Sequence, residues 1–392
     1  MIHTATITCG NSIDTRVSKG LFEQFMGLTS TQWMPQKKAF INKALQSDGI
    51  VVTGSRHTDS RSGYTWYSFS IRINFIRLIE KENRITVFTE QYTDAVANKF
   101  NRLLSELCFG MPDFYQWRVN RIDYCINVYT EHVPQYINLL RKGDKPWFLD
   151  VPRNSQGNYT RPYGSVYYAK GKRHEGQPKK KTTSIAINFY DKESQLKHEQ
   201  ARQIQNHEPV TVTEEMIQQA HNILRLEVQC NKPRTDYLKV KYDMTTKNLH
   251  YFLQDDIGID VLTKGLRQVA MPADYKTKSA VIAEIDSMAN WQHTTKDRLI
   301  QLVESISRRH NAVWKYRDTL TSEDDKKALR RDLKRLESMG INVVTIADNE
   351  KTLSAEEKRL GLTSVVELAL KAIQEECIQH NNYIDAIELD ED

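Results

Sequence analysis

A strict alternation between Gly63 and Ile76 constrains this chain more than any other feature. Tyr67, Phe69, Ile71, Ile73 and Phe75 fall on one side, and Trp66, Ser68, Ser70, Arg72 and Asn74 on the other. Neighbouring side chains of a β-strand point to opposite faces, so the run predicts a long strand with one apolar and one polar face. A second strand, Arg84–Thr89, is expected after a turn at Glu80–Asn83, as its antiparallel hairpin partner. Three shorter runs repeat the pattern. The run from Arg121 turns Ile122, Tyr124, Ile126 and Val128 one way and Arg121, Asp123 and Asn127 the other. The run from Ile185 buries Ile187 and Phe189 and presents Asn188, Tyr190 and Lys192. The run from Ile223 buries Leu224, Leu226 and Val228 and presents Arg225, Glu227 and Gln229. Side by side, these three strands would put Asp, Glu, Tyr and Lys on one sheet face.

Helical spacing fills the intervals. Val96, Phe100, Leu103, Leu104 and Leu107 mark an amphipathic helix over Asp94–Leu107, and shorter helices are expected over Pro134–Leu140 and Val212–His221. Strands followed by packed helices, in two successive β-β-α-β rounds, predict an α+β domain with an antiparallel or mixed sheet over residues 1–232. No residue-level repeat accompanies the two rounds. After Lys232 the spacing is helical through Ile257–Val269, Ala280–Met288, Lys296–Ser307 and Asp324–Met339, the last stopped by Gly340. Residues 233–345 are therefore expected as a helical, partly basic, accessory or DNA-binding domain. Residues 346–392 are expected as a further helix, Ser364–Ile378, and an acidic tail.

Bulk properties exclude some classes. Hydrophobic residues make up 39% and charged residues 27% of the 392, and the mean hydropathy is −0.60, which predicts a soluble globular protein with a polar surface and argues against a disordered or membrane chain. No apolar run approaches the roughly 20 residues of a membrane helix. The opening Met-Ile-His-Thr-Ala has no leader character and reads as a first strand, so a cytoplasmic location is expected. The five cysteines form no CxxC pair, which argues against a zinc site or a disulfide framework. Net charge is only +5, yet basic residues cluster: Lys170, Lys172, Arg173, Lys179, Lys180 and Lys181 oppose a single acid, Glu175.

Acids within strands run against propensity. Asp123 and Glu227 are oxygen donors of the kind Mg2+ or Mn2+ takes. An ion pair with Arg121 or Arg225, two residues away on the same face, stands as the equal alternative. Glu90, at the end of the expected Arg84 strand, is a third donor with a weaker signal. Tyr190 has Lys192 for company, and a nearby ammonium favours a phenolate; Tyr167 and Tyr168 are rivals. No phosphate-binding GxxxxGK[ST] loop, GxGxxG or HExxH occurs, and the 11 histidines contain no His-x-His pair. Any metal is therefore expected to be held mainly by carboxylates.

The ordered set Arg-Ile-Asp at 121–123, Tyr-Asp-Lys at 190–192 and Leu-Arg-Leu-Glu at 224–227 resembles the replication initiators of filamentous phages of the gene II type. It is similar also to the rolling-circle initiators and conjugation nickases of Gram-positive plasmids and integrative elements. The resemblance covers about 63–230. It implies a Rep nuclease-like fold and a metal-dependent, strand-specific DNA endonuclease. Tyr190 would attack a phosphodiester at an origin, staying joined to the 5′-phosphate and freeing a 3′-OH, with Lys192 assisting. Asp123, Glu227 and Glu90 would hold Mg2+ or Mn2+. Arg121, Arg225 and the basic Lys170–Lys181 loop would contact DNA that is single-stranded at the nick. Host helicase and polymerase are the partners implied, with oligomerisation compatible and no membrane. In the plasmid branch a tyrosine beside the last glutamate competes as nucleophile; that position is Leu226 here, which favours Tyr190. A conjugative relaxase, a non-catalytic DNA-binding regulator and an RNA-binding sheet bearing exposed aromatics are the alternatives.

Overall fold

The computed structural model describes residues 1–10, 17–81, 83, 85–146, 149–151, 164–169, 184–310 and 312–388, with backbone alone at 308–310 and 377–388. Its centre is a nine-stranded antiparallel sheet. The strands are β1 (Ile2–Cys9), β2 (Thr31–Met34), β3 (Ala39–Asn42), β4 (Ile50–Thr58), β5 (Thr65–Asn74), β6 (Arg118–Tyr129), β7 (Ser165–Tyr168), β8 (Ile185–Asp191) and β9 (Ile223–Cys230). Their order is β2-β3-β4-β5-β1-β6-β9-β8-β7. The α+β class and the four alternating runs are as the spacing predicts, and β6, β9 and β8 are immediate neighbours.

The hairpin partner of β5 is not Arg84–Thr89 but β4, paired from Ile50↔Ile73 to Thr58↔Thr65. The reason lies at Asn74. Its side chain accepts from Arg77 N, capping the short Phe75–Ile79 helix, so the chain leaves the sheet there. Arg84 lies outside the described residues. Of Ile85–Thr89, only Phe88 joins the sheet, through a bridge to Ile2. The two rounds are β4-β5-helix-β6 and β7-β8-helix-β9, with β1 inserted between β5 and β6 and the halves meeting at β6 and β9.

Helices Thr93–Leu107, Val133–Lys142, Lys278–Ser287, Glu323–Ser338 and Val365–Glu388 match the predicted ones within a few residues, except that the last runs on past Ile378. Gly340 takes the left-handed φ of 70° that ends the Glu323 helix. The boundary at residue 232 is no break in the core. The Asp255–Arg267 helix lies on the apolar sheet face, where Gly258 approaches the Tyr124 ring and Gly265 meets Val228. The Val365 helix packs on β6, and one hydrophobic cluster runs from Met1 to Ile373. A strip as apolar as Ile122, Tyr124, Ile126, Leu226 and Val228 needs cover, and the C-terminal helices supply it.

One polar cluster pins two of these helices together. Asp260 on the Asp255 helix pairs with Lys241, at the end of the Lys232–Lys241 helix, and with Lys264 at 2.5 Å. Burial pushes the Asp260 carboxyl up, but the lysine hydrogen bonds outweigh it and hold it at about 2, against 3.8 ordinarily. The folded state thus binds fewer protons than the unfolded chain through this window. The stabilisation is complete above about pH 4 and disappears as pH falls through about 2. Asp260→Asn is expected to cost about 1–2 kcal/mol at pH 7. In urea titrations, the variant and wild type should converge near pH 2. A constant difference across that range would contradict the assignment.

Candidate functional site

The polar face of the sheet is continuous. From β5 to β8 it carries Ser68, Ser70, Arg72 and Asn74, then Thr4, Thr6 and Thr8, then Arg121, Asp123 and Asn127, then Arg225, Glu227 and Gln229, then Asn188 and Tyr190. A pocket of about 420 Å3 opens where this face meets the Lys192–Gln205 helix. Tyr190, Glu227, Asn188, His3, Asn74 and Arg72 come from the strands, and Lys192, His198 and Arg202 from the helix.

The helix explains a departure from the expected geometry. Lys192 is not a strand residue beside Tyr190 but the first helical residue. Asp191 caps it, accepting from Glu193 N at 3.0 Å and Ser194 N at 3.3 Å. Asp-Lys-Glu-Ser is a helix-start signature that reads against the strand pattern overlapping it. The helix buries Leu196 against Val212, Met216, Ile217 and Ala220, and Ile85 packs on that small cluster. The polar face beneath is consequently buried rather than solvated. Lys192 is 3% exposed, Tyr190 4%, Glu227 6% and Arg225 0%.

Glu227 is the hub. Its Oε2 accepts from the Tyr190 hydroxyl at 3.3 Å and lies 3.4 Å from His3 Nδ1, and its Oε1 accepts from Gln229 at 2.7 Å. Burial alone would raise its carboxyl, but the bonds from His3 and Gln229, with the charge of Arg225, hold it at about 2. The Tyr190 phenol is pushed well above its ordinary value by burial and then by the Glu227 charge. Lys192, donating to Gln195 Oε1 at 2.7 Å, is driven well below the ordinary lysine value by burial, with Arg225 adding to it. The expected stabilisation of a phenolate by a Lys192 ammonium is thereby reversed. Burial shifts both groups in the direction of their uncharged forms.

His3 was not among the expected site residues. Strict alternation in β1 would send it with Ala5, Ile7 and Cys9 to the apolar face. A β-bulge changes that: Ile2 pairs with Tyr124 and Thr4 with Asp123, leaving His3 as the extra residue on β1. Burial lowers its imidazole below 6.5, against the pull of Glu227.

The other expected ligands are spent elsewhere. Asp123 is locked by Arg121, whose Nε donates to Oδ1 and Nη2 to Oδ2, both at 2.8 Å, while Thr4 Oγ1 donates to Oδ2 at 2.6 Å. The ion pair prevails there, and burial raises the Asp123 carboxyl against the pull of Arg121 and Thr4. Glu90 is exposed and faces the opposite layer, where it and Asp255 exchange backbone-to-carboxylate bonds of 3.3 Å. The three-carboxylate set of Asp123, Glu227 and Glu90 does not come together. Among the described residues, no group of three His, Cys, Asp or Glu side chains is placed to hold a metal ion.

Arg225 is no surface contact for DNA either. Its Nε donates to Asn127 Oδ1 at 2.8 Å and its Nη2 to Ile85 O, inside the protein. Arg121 keeps an exposed edge, with 41% of its side chain accessible. Lys170, Lys172, Arg173, Lys179, Lys180 and Lys181 lie outside the described residues. Of the rival tyrosines, Tyr168 faces the core, its hydroxyl 3.4 Å from Leu140 O. Tyr167 is half-buried beside Asn188 on the polar face. No helix is long and apolar enough to cross a membrane among the described residues. No known family matches the chain, and neither a curated protein nor a solved structure is significantly similar to it.

Proposed function

We propose that the pocket binds a DNA phosphodiester and that Tyr190 attacks it. The observation that carries this reading is the meeting of Tyr190 and His3 on one oxygen of Glu227, in a cavity rimmed by Arg72, Arg77 and Arg202. An arginine rim suits an anionic phosphate, and a carboxylate on the phenol can take its proton. In the reaction Tyr190 Oη forms a bond to phosphorus, and its proton passes by way of Glu227 Oε2 to the imidazole of His3 beside it. The P–O3′ bond breaks, and the leaving 3′-oxygen takes up a proton from water. The products are a 5′-phosphotyrosine link and a free 3′-OH, the starting point for rolling-circle replication. Conjugative transfer by a relaxase begins with the same nick.

A divalent cation fits the pocket with a donor set different from the expected one. Asn188 Oδ1 is buried without a hydrogen-bond partner among the described residues, and Asn188 pairs directly with Glu227 across β8 and β9. Glu227, Asn188 and His3 would hold Mg2+ or Mn2+, which when bound supplies positive charge to a phosphate oxygen. The nine-stranded sheet with its two β-β-α-β rounds supports a Rep nuclease-like fold.

Burial of Tyr190 favours a second reading, a phosphate-binding regulator without chemistry. Incubation of the protein with single-stranded DNA, with Mn2+ or with EDTA, separates the two. Wild type with Mn2+ is expected to form a denaturant-resistant protein–DNA adduct. Tyr190→Phe should lose the adduct by at least a factor of about 1,000 while keeping noncovalent binding. An adduct undiminished in Tyr190→Phe would overturn the assignment, and no adduct with any DNA would leave the regulator.

A further inference from the structure

The far end of the polar sheet face carries a stack of rings that the pocket does not use. His57 on β4 lies directly across from Trp66 on β5, with ring centroids 5.2 Å apart and planes 19° from parallel. Tyr64 continues the stack, 6.2 Å from Trp66 at 15°. His57 is held in place by Ser68 Oγ, 2.8 Å from its Nε2. A cross-strand ring pair stabilises a hairpin by itself. This stack outgrows that role, because strand pairing ends at Thr58↔Thr65 and Tyr64 lies beyond it, 55% exposed. Tyr64 and Trp66 stand outside both hydrophobic clusters of the described residues.

We infer that Tyr64, Trp66 and His57 form a base-stacking platform for single-stranded DNA leading to the pocket. Parallel, partly exposed rings offer π-faces that accept any base, and stacking of this kind binds single strands with little sequence preference. Continuity and charge support the occupant. Trp66, Ser68, Ser70, Arg72 and Asn74 share one face of β5, and Arg72 and Asn74 line the pocket. Six residues of strand separate Trp66 from Arg72, about 20 Å at the usual rise. Along this path lie the half-buried hydroxyls of Ser70 and Thr6 and the exposed Arg72, with Arg121 two strands away. Of the acids near this path, Asp123 is paired with Arg121, and Asp59, in the turn beside Tyr64, accepts from the backbone of Arg61 and Ser62. A phosphate backbone thus meets donors and cations, while its bases reach the rings. The identity of the polymer as DNA rests on the proposed function; the platform itself is read from the rings.

The test uses the full chain and fluorescence anisotropy with three labelled probes of equal length, an oligothymidylate, an abasic oligomer and an oligouridylate. Wild type is expected to bind the oligothymidylate at least about fivefold more tightly than the abasic oligomer, as one stacked base requires. Trp66→Ala should weaken oligothymidylate binding about tenfold and leave abasic binding unchanged, with Trp66→Phe restoring most of the loss. Tyr64→Ala, at the more exposed position, serves if Trp66→Ala does not fold, and should give a smaller loss of the same selectivity. Equal affinity of wild type for the oligothymidylate and the abasic oligomer, or unchanged oligothymidylate binding in both alanine variants, would overturn the platform. Tighter binding of oligouridylate than of oligothymidylate would overturn the assignment to DNA. Binding is read without cleavage, so a missing covalent adduct would count against the nicking reading alone.

Discussion

Replacing Arg225 by alanine is expected to destabilise the protein by about 3 kcal/mol or more. The side chain is completely buried, and its guanidinium bonds Asn127 Oδ1 and Ile85 O. It also contributes to holding Glu227 ionised inside the protein. Truncation leaves the Asn127 oxygen without that donor, a cavity of guanidinium size and a buried carboxylate with less compensation. Asn127 Nδ2 still reaches Ile85 O at 2.8 Å, so the 85 segment keeps one tie to the sheet. Lysine cannot bridge the same two acceptors with a planar fork and should recover less than half of the loss. Urea unfolding at neutral pH measures this. A loss below about 1 kcal/mol, the size seen for exposed pairs, would show that Arg225 is solvated in solution.

Gly265→Ala is the second large effect, with an expected loss of about 1–3 kcal/mol. The position is inside the Asp255 helix, where alanine by propensity alone would gain up to about 1 kcal/mol. Packing reverses the sign. A Cβ at 265 would sit 2.6 Å from Val228 Cγ2. Val228 is fully buried and β-branched, so it has no easy rotamer of retreat. The double variant Gly265→Ala, Val228→Ala should recover part of the loss, giving a coupling of about 1 kcal/mol or more in a double-mutant cycle. Strict additivity would mean that the C-terminal helices do not rest on β9 as described, and that residue 232 does divide two separate cores.

Alternation carried most of the sheet. The faces of β5, β6, β8 and β9 are legible because an apolar residue stands at every second position of each central run, and a buried face specifies register. The edge hairpin β2–β3 is not legible: Thr31–Met34 and Ala39–Asn42 are four residues each, too short for a period-two pattern to stand out. That Tyr190 and Glu227 share the polar face is legible in the sequence because both lie on regular strands. His3 was missed because a bulge breaks the parity on which the reading depends. Asp123 was an even choice between ligand and ion pair, since residues 121 and 123 share a face in either case; the bond from Thr4, on a neighbouring strand 119 positions away, belongs to no local pattern. Lys192 lines the same pocket as Tyr190, but as a helix start instead of the strand residue that alternation predicts. What the sequence could not carry was cover: the burial of Arg225 depends on a helix that arrives over the polar face from the next segment.

Tyr190, bonded to Glu227 beside His3, is the proposed nucleophile toward a phosphodiester. Mass-spectrometric mapping of the peptide that retains nucleotide after DNA exposure and nuclease digestion identifies the attacking residue. A nucleotide 5′-phosphate on Tyr190 is expected. A nucleotide on Tyr167, or on any residue outside the pocket, would contradict it.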